Sequence, residues 1–109
     1  MEKKETGISH DMIIASVNQG YSDDLVNTAR EAGASGGTIL NARGQANEGM
    51  ANFFGMSEQQ EKEIILLMVD REKKTSIMKA LTETHGLNTK ARGIIYSLPV
   101  ESVVGMKNE

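Results

Sequence analysis

The sequence has no cysteine, no tryptophan, one proline, two tyrosines and two phenylalanines. Without cysteine it can form neither a disulfide framework nor a thiolate zinc site. Its longest apolar run, Ile64 to Val69, is far shorter than the ~20 residues of a membrane-spanning helix. With few aromatic residues and a net charge of -3, it lacks the clustered cations and stacking rings of a nucleic-acid binder. We therefore expect no nucleic-acid partner and no direct membrane insertion.

A chain of 109 residues corresponds to one small domain. We expect this domain to cover residues 10–109, preceded by a flexible tail at 1–9. That tail carries charges of both signs and no apolar stretch, so it does not resemble an export signal. These features predict a cytoplasmic protein.

The apolar pattern predicts four strands and two helices. Ser22 is a good candidate for the N-cap of the first helix and Asp70 for that of the second, while Gly33 and Gly86 are expected to end them. In chain order, the predicted elements are a strand at 12–18, a helix at 22–33, strands at 38–43 and 64–69, a helix at 71–85 and a strand at 94–98.

The order βαββαβ is typical of the α+β, ferredoxin-like sandwich, in which a four-stranded antiparallel sheet carries two helices on one face. The third strand, Ile64 to Val69, is apolar at every position, so both of its faces should be buried. Two helices cover only one face of such a sheet. We therefore expect the uncovered face to associate with other chains.

No catalytic or metal-binding set of residues is recognisable. His10 and His85 have no partner at a metal-ligand spacing, and His85 is interpreted as a cation that complements the C-terminal dipole of its helix. Asp23 and Asp24 are interpreted as first-turn acids rather than as a catalytic pair. We predict no enzyme activity and no metal site.

Two loops could bring cations together at one end of the sheet. Arg43 and Gly44 follow the second strand, and residues 90–93 (Lys-Ala-Arg-Gly) precede the fourth. These residues could converge on an anion. The alternative is that they are solvated loop charges, and the spacing alone leaves both interpretations open.

Several spaced blocks of the sequence resemble the nitrogen regulatory PII family, in its PII-like branch, over about residues 10–106. The blocks are Gly33-Ala34-Ser35-Gly36-Gly37-Thr38-Ile39-Leu40-Asn41-Ala42-Arg43-Gly44, Phe54-Gly55, Glu61-Lys62-Glu63-Ile64-Ile65 and Gly93-Ile94-Ile95-Tyr96-Ser97-Leu98-Pro99-Val100-Glu101. The resemblance implies a homotrimeric signalling protein that binds ATP, ADP or AMP as an effector in clefts between subunits. It also implies a mobile T-loop, here 45–60, that docks on a target enzyme, transporter or regulator.

The resemblance also implies roles for individual residues. Thr38 matches a residue near the adenine, Glu63 lies near the position that faces the base, and the loop 87–93 matches the phosphate-binding B-loop. The expected nucleotide-binding residues are Thr38, Arg43, Gly44, Glu63, Lys90, Arg92, Gly93 and Lys107.

The sequence departs from the family pattern at three places. The B-loop reads Thr89-Lys90-Ala91-Arg92-Gly93 in place of Gly-Asp-Gly-Lys, so Lys90 or Arg92 is expected to replace its lysine. Lys107 is expected to replace one of two arginines near the chain end. The segment 45–60 contains no tyrosine, which excludes uridylylation there.

Two functional hypotheses follow. In the first, a nucleotide at the loop base favours one state of the segment 45–60 and a partner reads that state. In the second, the trimer is a pure interaction module whose nucleotide site has decayed. The residues expected to contact the partner are Gln45 and Glu48 near the base of the loop and the apolar pair Phe53 and Phe54.

Overall fold

A computed structural model of the protein describes residues 9–43 and 61–105. Within them one antiparallel sheet has the strand order β2-β3-β1-β4, the order expected of a βαββαβ chain. The elements are β1 (His10–Asn18), α1 (Ser22–Glu31), β2 (Thr38–Arg43), β3 (Glu61–Asp70), a 3₁₀ turn (Arg71–Lys73), α2 (Lys74–His85) and β4 (Ile94–Pro99). Pro99 closes an edge strand, as its missing N–H predicts.

The core lies between the sheet and the two helices. Side chains alternate between the two faces of a strand, so the odd-numbered residues of β1 and β3 point toward the helices. Leu25 of α1 and Leu81 of α2 are fully buried against them. The core cluster consists of Ile13, Ala15, Val17, Leu25, Ala29, Ala34, Ile65, Leu67, Val69, Ile77, Leu81 and Ala91.

The opposite side of the sheet carries a second set of apolar side chains, which we call the open face. By strand register it consists of Met12, Ile14, Leu40, Ile64, Leu66, Met68, Ile94, Tyr96 and Leu98. No described helix covers it, and Leu98 remains 53% exposed. The sequence predicts that both faces of the third strand are buried. Within one chain, the apolar residues on the helix side are buried, whereas Leu66 and Met68 on the open face are partly exposed.

Helix α1 begins without the side-chain cap predicted from the sequence. Tyr21 occupies the N-cap position and makes no side-chain capping hydrogen bond, while Ser22 is buried in the first turn. The carboxylate of Glu63 on β3 accepts hydrogen bonds at this end of the helix instead. Its Oε1 accepts from the Gly20 N–H at 3.1 Å and from the Ser22 N–H at 3.2 Å. The helix ends at Glu31, earlier than predicted, and Gly33 follows with φ +121°.

Helix α2 also starts differently from the prediction. A 3₁₀ turn precedes it, and Asp70 makes no side-chain capping hydrogen bond. Asp70 instead has Oδ1 at 3.1 Å from His10 Nε2 and Oδ2 at 3.8 Å from Lys73 Nζ. Gly86 ends the helix with φ -73°, so it is needed for space rather than for a left-handed conformation: a Cβ there would collide with the Thr82 carbonyl oxygen.

Asp11 joins the start of β1 to the beginning of α2. Its side chain is almost fully buried, Arg71 Nε donates to Oδ1 at 3.0 Å, and Lys74 Nζ lies 3.2 Å from Oδ2. Burial acts to raise the pKa of Asp11. The interaction with the Lys74 ammonium and the hydrogen bond from Arg71 outweigh it, so the pKa lies below its ordinary value of 3.8.

We expect Asp11 to make folding stability depend on acid pH. Because its pKa is lower in the folded state, the ionised carboxylate contributes full stability above about pH 3.8, and this contribution is lost as the pH falls through the lower folded value. Asp11→Asn should therefore lower the melting temperature at neutral pH and flatten its fall between pH 5 and pH 2. Thermal melts across this range test the effect. Asp23→Asn, at an exposed position, should keep the wild-type profile.

Candidate functional site

A buried lysine lies where β1 ends and β3 begins. Lys62 is 2% exposed, and its Nζ donates to the Asn18 Oδ1 at 3.0 Å across the two paired strands. Burial lowers the pKa of Lys62, and the nearby charge of Arg92 lowers it further. Among residues 9–43 and 61–105, no carboxylate forms an ion pair with it. We call Asn18, Lys62 and Arg92 the Lys62 cluster, and its excess of positive charge suits an anion.

The loop that carries Arg92 is held firmly against β1. Asn18 bonds it twice, with its N–H to the Ala91 carbonyl at 2.8 Å and its Nδ2 to the Lys90 carbonyl at 3.0 Å. The Gly93 N–H donates to the His85 carbonyl at 2.8 Å, and a Cβ on Gly93 would collide with that oxygen. Arg92 itself has φ +51°, which is uncommon for a residue other than glycine. The loop therefore presents Arg92 in one constrained conformation.

Arg43 lies at the same end of the sheet as this loop. It ends β2, in register with Glu61, and its side chain is exposed. The sheet order puts β3 and β1 between β2 and β4, so about 14 Å separates the outer strands at ~4.8 Å per step. Lys62 occupies part of that gap. The predicted cations Arg43, Lys90 and Arg92 thus lie along one end of the sheet. The buried Lys62 lies between Arg43 and the loop 90–93.

Thr38, predicted to lie near the base, begins β2 and stands at the opposite end of the sheet from Arg43. At ~3.3 Å per residue, about 17 Å of strand separates the two. Thr38 lines a cleft of about 580 Å³ together with residues 35–37 and the apolar residues Met12, Leu66 and Met68. Gly37 is packed so closely that a Cβ would lie 2.6 Å from a Leu67 methyl carbon. Of the residues that line the cleft, Met12, Leu66 and Met68 belong to the open face, and the charged groups of Asp70 and Lys73 also line it.

Glu63 points to the helix side of the sheet, away from the Lys62 cluster. Its Oε1 accepts the two N–H groups that precede and begin α1. The structure thus assigns Glu63 a role in positioning the turn before that helix, and a contact with a base stays a prediction. Lys90 is exposed and lines a groove on the helix side.

Several predicted residues lie outside the described part of the chain. They are Gly44 and Lys107 of the expected nucleotide site and Gln45, Glu48, Phe53 and Phe54 of the segment expected to bind a partner. Within the described part, no group of three or more His, Asp or Glu side chains is arranged to hold a metal ion. Nor is any helix there both long and apolar enough to span a bilayer.

His85 lies in the last turn of α2, as predicted, but its burial opposes the cationic form expected there. Its side chain is buried, and burial lowers its pKa below the ordinary 6.5 despite the opposing charge of Asp24. Burial therefore favours the neutral imidazole. The Thr84 hydroxyl donates to the Ala80 carbonyl at 2.9 Å, so it must accept the 2.7 Å hydrogen bond from His85 Nδ1–H. This assigns the tautomer and leaves Nε2 as an acceptor.

Sequence reasoning misses Lys62 and Asn18 as members of a site. In the sequence Lys62 belongs to a charged lead-in to the third strand, and Asn18 is only the end of the first. The period-two alternation that places Ile64 and Leu66 on the open face also places Lys62 there. That alternation is the available signal, although pairing with Asn18 depends on the register between β1 and β3.

Comparison with known proteins agrees with this architecture. Residues 10–109 match the family model described as Nitrogen regulatory protein P-II. No curated protein sequence matches the chain at a significant level.

Three solved structures illustrate the likeness in fold. A PII-like signaling protein from Thermus thermophilus is 22% identical with a TM-score of 0.60, over 82% of this chain and 83% of that one. Arabidopsis thaliana PII bound to citrate is 17% identical with a TM-score of 0.63, over 84% and 75%. A DUF3240 family protein from Shewanella baltica is 16% identical with a TM-score of 0.65, over 91% and 98%.

Proposed function

Because the chain belongs to the nitrogen regulatory protein P-II family, whose proteins signal and regulate rather than catalyse, we propose that it is a trimeric sensor of an adenine nucleotide. ATP, ADP or AMP acts as an effector and no permanent cofactor is required. The bound nucleotide changes the segment 45–60, and a cytoplasmic partner protein responds to that change.

The open face supports the trimer. Its apolar side chains, from Met12 on β1 to Leu98 on β4, form one continuous surface on the uncovered side of the sheet. Burial of apolar surface is worth ~25 cal/mol per Å², so several such side chains provide a strong drive to associate. Further copies of the same chain would cover that surface.

The strongest support for a nucleotide between subunits is the separation of the two candidate half-sites. Thr38 and its cleft lie at one end of β2, and Arg43 and the Lys62 cluster lie at the other, about 17 Å away along the strand. Two chains can bring the Thr38 end of one subunit against the Lys62 end of the next. The site would then be completed only by assembly.

The chemistry of the two halves suits the two ends of a nucleotide. The cleft at Thr38 combines the polar residues Ser35 and Thr38 with the apolar Leu66 and Met68, which suits a flat, partly apolar base. The Lys62 cluster offers a buried amine and a guanidinium, which suit phosphate oxygens. Lys90 and Gly93 of the same loop, with Gly44 and Lys107, would complete the phosphate end.

A signal can pass from this site to the segment 45–60 because of where that segment is attached. It leaves the sheet after Arg43 and returns before Glu61, and these two residues are register partners. Lys62 directly follows Glu61 on β3. A phosphate bound at Lys62 would therefore lie beside both ends of the segment and favour one of its states.

Calorimetric titration of the purified protein with ATP, ADP and AMP tests the nucleotide. We expect saturable heat with at least one of them, together with a rise in melting temperature, since a ligand that binds only the folded state stabilises it. No heat and no thermal shift with any of the three would remove the nucleotide from the proposal. If the trimer persisted, that result would favour the interaction module that contacts its partner through Phe53 and Phe54.

A further inference from the structure

A groove lined by several polar and charged residues lies on the helix side of the molecule, away from the open face. It has a volume of about 550 Å³ and runs between α1, the end of α2 and the loop before β4. The side chains that matter for its chemistry are Asp24, Thr28 and Glu31 from α1, Thr89 and Lys90 from the loop, and His85 from α2. None of these α1 residues belongs to the proposed nucleotide site.

His85 gives the groove a buried hydrogen-bond acceptor. The side chain is 6% exposed and lines the groove, and its Nδ1–H is already donated to the Thr84 hydroxyl. Nε2 is the ring nitrogen left, and no residue of the described part of the chain is bonded to it. In the neutral imidazole that burial favours, Nε2 holds a lone pair that accepts a hydrogen bond from a donor.

The groove also has an acidic rim. Asp24 and Glu31 lie seven positions apart on α1, which places them two turns and about 10 Å apart along one stripe of the helix. Asp24 is close enough to His85 for its charge to act on the ring. Both carboxylates are exposed, and neither forms an ion pair within the described residues. Lys90 contributes one positive charge at the loop side.

We propose that this groove binds a small organic molecule that carries a protonated amine. The amine donates one N–H to His85 Nε2, and its positive charge is balanced by Asp24 and Glu31. The hydroxyls of Thr28 and Thr89 offer further polar contacts. Lys90 would pair with a carboxylate if the ligand is an amino acid rather than a simple amine. Apart from Lys90, which also belongs to the proposed phosphate end, the residues that would bind the amine are separate from the proposed nucleotide site.

The test is a titration of the full-length protein with cadaverine and with L-lysine, without nucleotide and at constant ionic strength near pH 7.5. The readout is the ¹⁵N and ¹H resonances of the His85 ring, which report a new donor at Nε2 directly. A saturable shift with either probe supports the site, and tighter binding of L-lysine adds a pairing of its carboxylate with Lys90. No saturable shift with either probe overturns the proposal, whatever the outcome of the nucleotide titration.

Two neighbouring aspartates provide a matched pair of variants. Asp24 lines the groove, while Asp23 is equally a first-turn, exposed acid but does not line it. Asp24→Asn should weaken binding of the amine about tenfold, whereas Asp23→Asn should leave it within about twofold. Equal weakening in both variants would show non-specific attraction to an acidic surface and would contradict the site.

Discussion

Leu66→Glu should convert the proposed trimer to a monomer of 11.8 kDa. Leu66 lies at the middle of the open face, between Ile14 of β1 and Thr38 of β2. In the proposed trimer each glutamate would be buried without a cation, and removing a carboxylate from water costs several kcal/mol. Each subunit of the proposed trimer would bring one such glutamate into the interface. Sedimentation equilibrium at micromolar concentration measures the result.

Two further variants separate assembly from folding. Leu87→Glu changes a leucine that is 55% exposed in the loop after α2, outside the open face, and should leave the trimer intact. Leu40→Glu lies on the open face but is already 48% exposed within one chain, so it should fold and still weaken assembly. A trimer that survives both Leu66→Glu and Leu40→Glu would show that the open face is not the interface.

Lys62→Met should weaken binding of the adenine nucleotide with the highest affinity by about 100-fold. Removing one partner of a buried charge pair typically costs 2–5 kcal/mol, and each 1.4 kcal/mol is a factor of ten. Methionine has a similar length and no charge, so it fills the site of a side chain that is 2% exposed. It also relieves the repulsion with Arg92 that lowers the pKa of Lys62. Calorimetry gives the affinity.

Lys79→Met is the matched control, because Lys79 is exposed on α2 and does not line either half-site. The Lys79→Met protein should bind the nucleotide as tightly as the wild type. Circular dichroism and the melting temperature should show that Lys62→Met still folds, and the variant should stay trimeric. Undiminished nucleotide binding by a folded Lys62→Met protein would place the phosphates elsewhere.

The element order is predictable because it depends on local patterns. The apolar run Ile64 to Val69 predicts a strand, and Ile77 and Leu81 mark the buried stripe of α2. Pairing of β1 with both β3 and β4 follows from the βαββαβ order. The family resemblance adds the expected site residues that no periodicity identifies.

The capping of the helices and the charge of His85 cannot be predicted from such local patterns. Ser22 is a favourable N-cap by type, yet a carboxylate 41 residues away accepts its N–H group. Asp70 likewise pairs with His10 and Lys73 instead of capping α2. His85 stands next to Gly86 at a helix terminus, where a charged form would be stabilised, but its burial lowers its pKa and favours the neutral form.

By itself the sequence determined the alternation of strands and helices, the excess of apolar surface on the sheet and the membership of a family, because each is a property of residue type and spacing along the chain. Only the tertiary structure decided that Lys62 is buried beside Asn18 and Arg92 and that Thr38 and Arg43 stand at opposite ends of one strand. Burial and separation in space depend on how strands pair, and pairing joins residues that are far apart in the sequence.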